Sequence, residues 1–400
     1  MQFEKREVNA RAVAINRGVE RVANRVIRGY DAFKSRIGLA GRAAAYDDLA
    51  YEFVGGARDS LRRKHYDKSL RLLWKAEVAA PWSSFRDAAA AEHALLSMAD
   101  QGMSADERHH RARITSAEFR AMLDREYTPA QKRALVTILS AIGHGEAYAW
   151  LVSASLLTQV QSTGAKAAVT MQVVEEAKHF VVLRELIQAF GIDVPRLSAW
   201  EYLLLEGALK ARGLDKFFGM NVIIETIALN IFGLLSDKPG LEILRLFHLD
   251  ESRHTALPDN YFKEFPMTAW ERHNPRARVS RLAMALPSLP LVLLLEEELG
   301  EIGVDAFDFA GAILRKTATL SVRAGFLTRA AADGQSRFFN GVFNRYCELT
   351  RPQHRWRDYM AAETTRGAAE SAVEREIFGE PSAPEASSSA ASTPQESASL

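Results

Sequence analysis

The 400-residue sequence predicts an all-α fold, in which a central bundle of four helices is extended by further helices at both ends. Long runs of apolar residues at helical spacing, such as Ala141–Leu157 and Met220–Leu235, predict helices with a buried face. Two turn-forming segments, Gln161–Ala165 and Ser236–Gly240, then divide the central region into two helical hairpins.

Four regions follow from this interpretation. Residues 1–127 are predicted to form an N-terminal helical region packed on the bundle, because apolar and arginine residues alternate at helical spacing over about residues 3–35 and further helices are predicted over about residues 58–124. The bundle is predicted for residues 128–258, and helices within residues 259–365 complete the same domain. Residues 366–400 are rich in Ala, Ser, Pro and Glu and hold too few apolar residues for a core, so we expect a largely disordered tail.

Two segments of the bundle place a glutamate three residues before a histidine. The segment EEAKH contains Glu176 and His179, and the segment DESRH contains Glu251 and His254. Residues three apart share one face of a helix, so each segment can offer a carboxylate and an imidazole to one metal ion. Both pairs lie on apolar stripes, which predicts that they are buried.

A third match to the same spacing is interpreted as a chance match. Glu107 and His110 lie in a strongly charged run whose helical neighbours are mostly polar, so this pair is expected to face water.

One glutamate also stands in the helical run before each motif. Glu146 precedes the first motif and Glu225 precedes the second. Glu225 and Glu251 are equally distant from their turn, which brings their carboxylates to the same height along the hairpin. Glu146 lies about one helical turn farther from its loop than Glu176 does.

Four glutamates inside an apolar core require positive charge, because an unpaired buried carboxylate is energetically costly. Lys178 and Arg253 lie between the motif positions and point away from them on a helix. Two divalent cations would balance the four glutamates, which favours a metal site.

Along the chain the motifs follow the order Glu, Glu-x-x-His, Glu, Glu-x-x-His. With this order, residues 129–258 resemble the ferritin-like di-iron superfamily. That superfamily includes ferritins, ribonucleotide reductase small subunits, acyl-carrier-protein desaturases, multicomponent monooxygenase hydroxylases and p-aminobenzoate N-oxygenases. The resemblance implies a ferritin-like bundle that holds two iron ions, with Glu176 and Glu251 as bridging carboxylates. The implied ligand set is Glu146, Glu176, His179, Glu225, Glu251 and His254.

Individual families of the superfamily match less well. Leu183 replaces the radical-storing tyrosine of typical reductase subunits, and Leu229 replaces a threonine of the monooxygenases. Phe247 stands where the N-oxygenases have an additional histidine ligand, and His248 is its neighbour. His248 is either a seventh ligand or hydrogen-bond partner, or a histidine packed at the edge of the core, which we favour.

The acidic residue before each motif glutamate is a candidate partner for a metal-bound imidazole. A ligating histidine usually donates its second ring N–H to a carboxylate. Glu175 and Asp250 are the candidates, and a solvated face beside the buried stripe is the equally weighted alternative.

Composition excludes several classes of protein. The chain is 48% hydrophobic with a net charge of +1, and nothing in it favours nucleic-acid binding. A single cysteine, Cys347, excludes a disulfide framework and an iron–sulfur cluster held by this chain. Neither a secretory signal nor an uninterrupted apolar membrane span is evident, so a cytoplasmic location and no membrane span are expected.

The predicted function is that of an O₂-dependent di-iron oxidoreductase, which hydroxylates, desaturates or N-oxygenates a small organic substrate. The cofactor would be two Fe ions or a Mn/Fe pair, O₂ would be the co-substrate, and an external donor, a ferredoxin or a reductase, would supply electrons. A homodimer is compatible with this prediction. The alternatives are a ferroxidase, peroxide-scavenging or iron-storage protein, and a non-catalytic helical scaffold.

Overall fold

The computed structural model of the chain describes residues 3–36, 116–160 and 163–361. Within these ranges all regular secondary structure is helical and no strand occurs, so the predicted all-α class is confirmed. The expectations for Glu107, His110 and the tail at 366–400 lie outside the described residues.

The helices have the following bounds in chain order. They are α1 (Ala10–Arg36), α2 (Ala117–Glu126), α3 (Pro129–Leu156), α4 (Thr163–Ala189), α5 (Ala199–Lys210), α6 (Asp215–Phe217), a π-helical segment (Phe218–Ile224), α7 (Glu225–Leu235), α8 (Leu244–Glu264), α9 (Ala269–His273), α10 (Pro275–Ala285), α11 (Ser288–Leu294), α12 (Glu296–Glu301), α13 (Ala306–Arg323) and α14 (Arg329–Thr350).

Local sequence explains why the central helices begin where they do. Thr128 caps α3 by accepting a hydrogen bond from the backbone N–H of Gln131, whose side chain accepts one from the Thr128 N–H. Pro129 follows at the first helical position, where its missing N–H costs nothing. Ser198 and Glu201 form the same reciprocal cap at the start of α5.

The central helices pack in two pairs. Helix α3 packs along α4, and α7 packs along α8, while α4 also contacts α8 and α3 contacts the π-helical segment. The connection between α7 and α8 contains Gly240 at φ +79°, a backbone conformation that glycine adopts without strain. The predicted turn Ser236–Gly240 thus lies between helices that contact each other. Of the predicted turn Gln161–Ala165, the last three residues already belong to α4, and residues 161 and 162 lie outside the described residues.

The N-terminal and C-terminal regions pack against these helices. The ring of Phe3 stacks on the ring of Tyr127, and the backbone carbonyl of Phe3 accepts a hydrogen bond from the Gln131 side chain at 3.1 Å. Phe307 and Phe343 build a separate aromatic cluster between α13 and α14, in which Cys347 is also buried.

The prediction that no segment is able to span a membrane is wrong. Among the described residues, three helical stretches are long and apolar enough to do so by length and composition. They are α3 (Pro129–Leu156), Asp215–Leu235, which comprises α6, the π-helical segment and α7, and Pro275–Leu294, which comprises α10 and α11. The sequence interpretation counted uninterrupted apolar residues, whereas the few polar residues in these helices do not lower their mean hydropathy enough to exclude them. The apolar windows of the first two are 67% and 83% buried, but that of Pro275–Leu294 is only 22% buried.

Gly311 in α13 provides a test of the packing against residues 351–361, which follow α14. A Cβ atom at Gly311 would lie 1.9 Å from the carbonyl oxygen of Tyr359. We expect Gly311→Ala to lower the free energy of unfolding by about 1–3 kcal/mol, because a backbone atom has to move. Urea unfolding followed by circular dichroism measures this change. Gly334→Ala in α14 is the control, since a Cβ atom there meets nothing within 4 Å.

Candidate metal centre

Six buried side chains from four helical segments converge inside the protein. They are the six ligands predicted from the sequence: Glu146 on α3, Glu176 and His179 on α4, Glu225 on α7, and Glu251 and His254 on α8. Their ligand atoms form two groups, and within each group these atoms all lie within 4.8 Å of one another. None of the six residues is more than 3% exposed.

Glu176 and Glu251 belong to both groups, and their two carboxylate oxygens point in opposite directions. Glu251 Oε1 lies 3.0 Å from His179 Nδ1, and Oε2 lies 3.1 Å from His254 Nδ1. Glu176 likewise approaches His179 with Oε2 at 3.8 Å and His254 with Oε1 at 3.1 Å. This is the placement that bridging carboxylates require.

The remaining two glutamates each belong to one group. Glu146 Oε2 lies 3.5 Å from His179 Nδ1, and Glu225 Oε1 lies 3.6 Å from His254 Nδ1. Each group therefore contains one histidine, one glutamate of its own and the two shared glutamates, which would give each of two metal ions one nitrogen and three carboxylates.

The hydrogen bonding of the cluster tests whether its residues fit a metal. Several of its polar atoms are buried yet have no hydrogen-bond partner in the described structure: both carboxylate oxygens of Glu146, Oε2 of Glu176, Oε1 of Glu251 and Nδ1 of His179. Nδ1 of His179 is close to Glu251, but the angles are not those of a hydrogen bond. Because buried polar atoms normally have partners, these atoms fit metal ligands.

The charges of the cluster also require compensation. Among the protein groups alone, burial raises the pKa values of Glu146 and Glu225 well above the ordinary 4.5. Burial disfavours the charged form of His179 and His254, but the surrounding carboxylates outweigh it and raise the pKa of both imidazoles. The cluster thus takes up protons unless cations of another kind replace them.

Glu175 and Asp250 contact the outer nitrogens of the two histidines, and they do so across the helix pair. Asp250 on α8 lies 3.0 Å from His179 Nε2 on α4, and Glu175 on α4 lies 2.9 Å from His254 Nε2 on α8. With Nδ1 turned towards the cluster, Nε2–H donates to the carboxylate, which orients each ring. The sequence suggested these two residues but not that each would serve the opposite helix.

Arg253 joins the two outer carboxylates. Its Nη2 donates to Glu175 at 2.8 Å and also donates to Asp250. Burial raises the pKa of both acids, but hydrogen bonds from the histidines and the charge of Arg253 outweigh it and hold the pKa below its usual value. Glu175 and Asp250 are therefore ionised acceptors at neutral pH.

Two amide side chains that sequence reasoning missed hold the inner carboxylates. Gln172 donates from Nε2 to Glu225 at 2.9 Å and to Glu176 at 3.2 Å. Asn221 donates to the Gln172 side chain at 3.0 Å and to the carbonyl of His254 at 2.9 Å. Gln172 stands four residues before Glu176 and Asn221 stands four before Glu225, so a polar residue one helical turn before these two glutamates was the available signal.

Asn221 lies in the π-helical segment that leads directly into Glu225. A π-helical turn inserts an extra residue into the helix and changes the direction of the side chains around it, and such turns are frequent at functional sites. The apolar periodicity of Met220–Leu235 contains no signal for this turn, because its residues are buried on every side.

His248 is placed apart from the converging atoms. Its Nδ1 lies 2.9 Å from the carbonyl oxygen of Leu229, and His248 is in neither of the two groups found among the described residues. Its neighbour Phe247 stacks on the ring of His179 with 4.3 Å between centroids. The structure therefore favours the packed-histidine interpretation of His248 over a seventh ligand.

Comparison with known proteins provides no family for this chain. No family model, no curated protein and no solved structure matches it.

The crossed contacts lead to a prediction about the outer carboxylates. We expect Asp250→Asn to lower the affinity for a divalent metal about 10- to 100-fold, because His179 loses the carboxylate that orients its ring. Titration with Mn²⁺ followed by electron paramagnetic resonance measures the change. Asp237→Asn is the matched control, since Asp237 pairs with Arg245 on the surface. Equal affinities of the two variants would contradict the prediction.

Proposed function

We propose that this chain is a di-iron carboxylate protein with a ferritin-like helical bundle, and that it acts as an O₂-dependent oxidoreductase. The observation that carries the proposal is the pair of ligand groups that share Glu176 and Glu251. A single-metal site needs no shared carboxylates, and a structural ion pair does not leave buried oxygens without hydrogen-bond partners.

The donor set favours iron or manganese. Carboxylate oxygens and imidazole nitrogens suit these metals, whereas thiolate-preferring metals find no sulfur ligand in the described cluster. A Mn/Fe pair would use the same ligands as two Fe ions. Metal ions held by this set would supply the redox chemistry by which O₂ oxidises a small organic substrate.

The protein's own residues would perform three tasks at this site. The bridging pair Glu176 and Glu251 would hold the metals close together, with Gln172 donating a hydrogen bond to Oε1 of Glu176. Asp250 and Glu175 would keep the imidazoles in the tautomer that ligates through Nδ1. The buried apolar residues around the cluster would exclude water, which would otherwise compete with the substrate.

Substrate and electrons would both come from outside the chain. The single cysteine, Cys347, is buried away from the cluster, so an external ferredoxin or reductase would supply the electrons. A cavity of about 40 Å³ borders Glu146 and Glu225 and provides a place for a substrate beside the metals. Hydroxylation, desaturation and N-oxygenation are the candidate reactions.

The number of metal ions per chain tests the shared ligands. We expect the wild-type protein to bind two metal ions. Glu176→Gln should weaken both sites because it removes a shared ligand, whereas Glu146→Gln should mainly weaken one. Elemental analysis after reconstitution and desalting measures the content. Glu107→Gln, in the third Glu-x-x-His match, is the control and should retain two; fewer than one tightly bound metal in the wild type would refute the proposal.

The proposal also predicts how the metal affinity depends on pH. The carboxylates and imidazoles must lose their protons to bind metal. Because burial raises the pKa of Glu146 and Glu225, proton competition should begin well above pH 4.5. Mn²⁺ affinity should therefore fall steadily as the pH is lowered from neutrality. An affinity that stays constant down to pH 4.5, in protein that remains folded by circular dichroism, would contradict the assigned ligands.

Iron loading in air distinguishes an oxidoreductase from an iron store. With excess Fe²⁺ and O₂, the proposed enzyme should stop at two irons per chain, because its site has two groups of ligands. A storage protein would continue to accumulate ferric iron. Optical absorption with elemental analysis follows the uptake, and continued accumulation would favour the storage alternative.

A further inference from the structure

A row of three cavities runs from the metal-binding cluster towards the surface. Each has a volume of about 40 Å³. The inner cavity borders Glu146 and Glu225, and the outer cavity borders Gln335 and Ser336 on α14, which are partly exposed.

Neighbouring cavities share their walls. The side chains of Ile231 and Leu291 border both the inner and the middle cavity, and Ile313 and Phe339 border both the middle and the outer cavity. Ile227, two residues after Glu225, borders all three. Because neighbouring cavities share apolar side chains, rotations of those side chains would join the cavities into one passage.

The polarity of the lining changes along the row. Carboxylates border the inner cavity, and Ser288 is the single polar residue bordering the middle one among the described residues. Hydroxyl and amide groups border the outer cavity, and among them is Ser321. Ser321 is 1% exposed, and its Oγ makes no hydrogen bond within the described structure. A buried hydroxyl without a partner is costly, so a polar group of a ligand is a fitting partner for it.

The size of the cavities indicates the shape of the ligand. A benzene-sized ring needs a cavity of roughly 150 Å³, several times the volume of any one of the three. Methylene groups in single file follow the row once the shared side chains move aside, whereas a ring requires one cavity to widen several-fold.

We infer that this row is the substrate site of the proposed oxidoreductase and that it takes an unbranched aliphatic chain. The polar end of the chain accepts or donates a hydrogen bond at Ser321 in the outer cavity, its methylenes fill the middle cavity, and its distal carbons reach Glu146 and Glu225. The role as substrate site rests on the proposed function, while the binding of the chain is a property of the cavities themselves.

Displacement of the fluorescent fatty acid cis-parinaric acid from the full-length, metal-free protein tests the inference. Palmitic acid should displace the probe at a concentration at least about tenfold lower than adamantane-1-carboxylic acid, which carries a bulky ring system. Ile313→Trp should weaken the binding of palmitic acid about tenfold or more by closing the passage. It should weaken the binding of the shorter octanoic acid less. Ile15→Trp, at an exposed position of α1, is the matched control.

Ser321→Ala gives an independent variant that alters no packing volume. This substitution should weaken the binding of palmitic acid about two- to tenfold, which corresponds to the loss of one hydrogen bond. Ser153→Ala is its control, because Ser153 is also buried without a hydrogen bond in the described structure but borders none of the three cavities. Palmitic acid that binds Ile313→Trp and Ser321→Ala as tightly as the wild type, or that does not displace the probe at all, would overturn the inference.

Metal content measured after portions of the same preparations have been reconstituted with metal and desalted separates the two proposals. Two metals per chain without binding of palmitic acid would refute the aliphatic substrate and leave the oxidoreductase proposal standing. Binding of palmitic acid by a chain that takes up no metal would refute the oxidoreductase, and with it the role of the cavities as a substrate site.

Discussion

The central constraint on this protein is the charge of four glutamates enclosed in an apolar interior. Glu146, Glu176, Glu225 and Glu251 are all at most 2% exposed. Carboxylates at such short distances cannot all be ionised without compensation, and the two histidines between them supply too little positive charge. The cluster therefore binds either protons or metal cations, and the buried oxygens without hydrogen-bond partners favour metals.

The surroundings of the cluster are organised to hold it in one geometry. Gln172 links Glu176 to Glu225 from inside, and Arg253 links Glu175 to Asp250 from outside. Since Asp250 and Glu175 each orient a histidine of the opposite helix, α4 and α8 cannot slide past each other without breaking both contacts. This crossed arrangement couples the two halves of the cluster, which is what a pair of metals sharing two carboxylates requires.

The segment Pro275–Leu294, which comprises α10 and α11, has a buried and an exposed side. Leu291 faces inwards and borders two of the cavities, whereas Val279, Leu282 and Leu286 are exposed. Pro287 precedes the first residue of α11 and Pro290 lies in its first turn, and the segment has the length and hydropathy of a membrane-spanning helix.

Much of the candidate site follows from sequence spacing because helical geometry is local. Two residues three apart on a helix share a face whatever the rest of the chain does, and an apolar stripe shows which face is buried. For that reason Glu176 with His179, and Glu251 with His254, were predictable as pairs, and the turn at Ser236–Gly240 indicated that Glu225 and Glu251 would lie at one height.

The contacts between helices were not predictable in the same way, because they depend on rotations and offsets that no single segment encodes. Sequence alone determined the all-α class and which six side chains are suited to bind metal. Only the tertiary structure decided that Asp250 serves His179, that Glu175 serves His254, that Asn221 and Gln172 support the carboxylates and that His248 turns to Leu229. The physical reason is that periodicity specifies the direction of a side chain relative to its own helix, whereas packing specifies what lies opposite it.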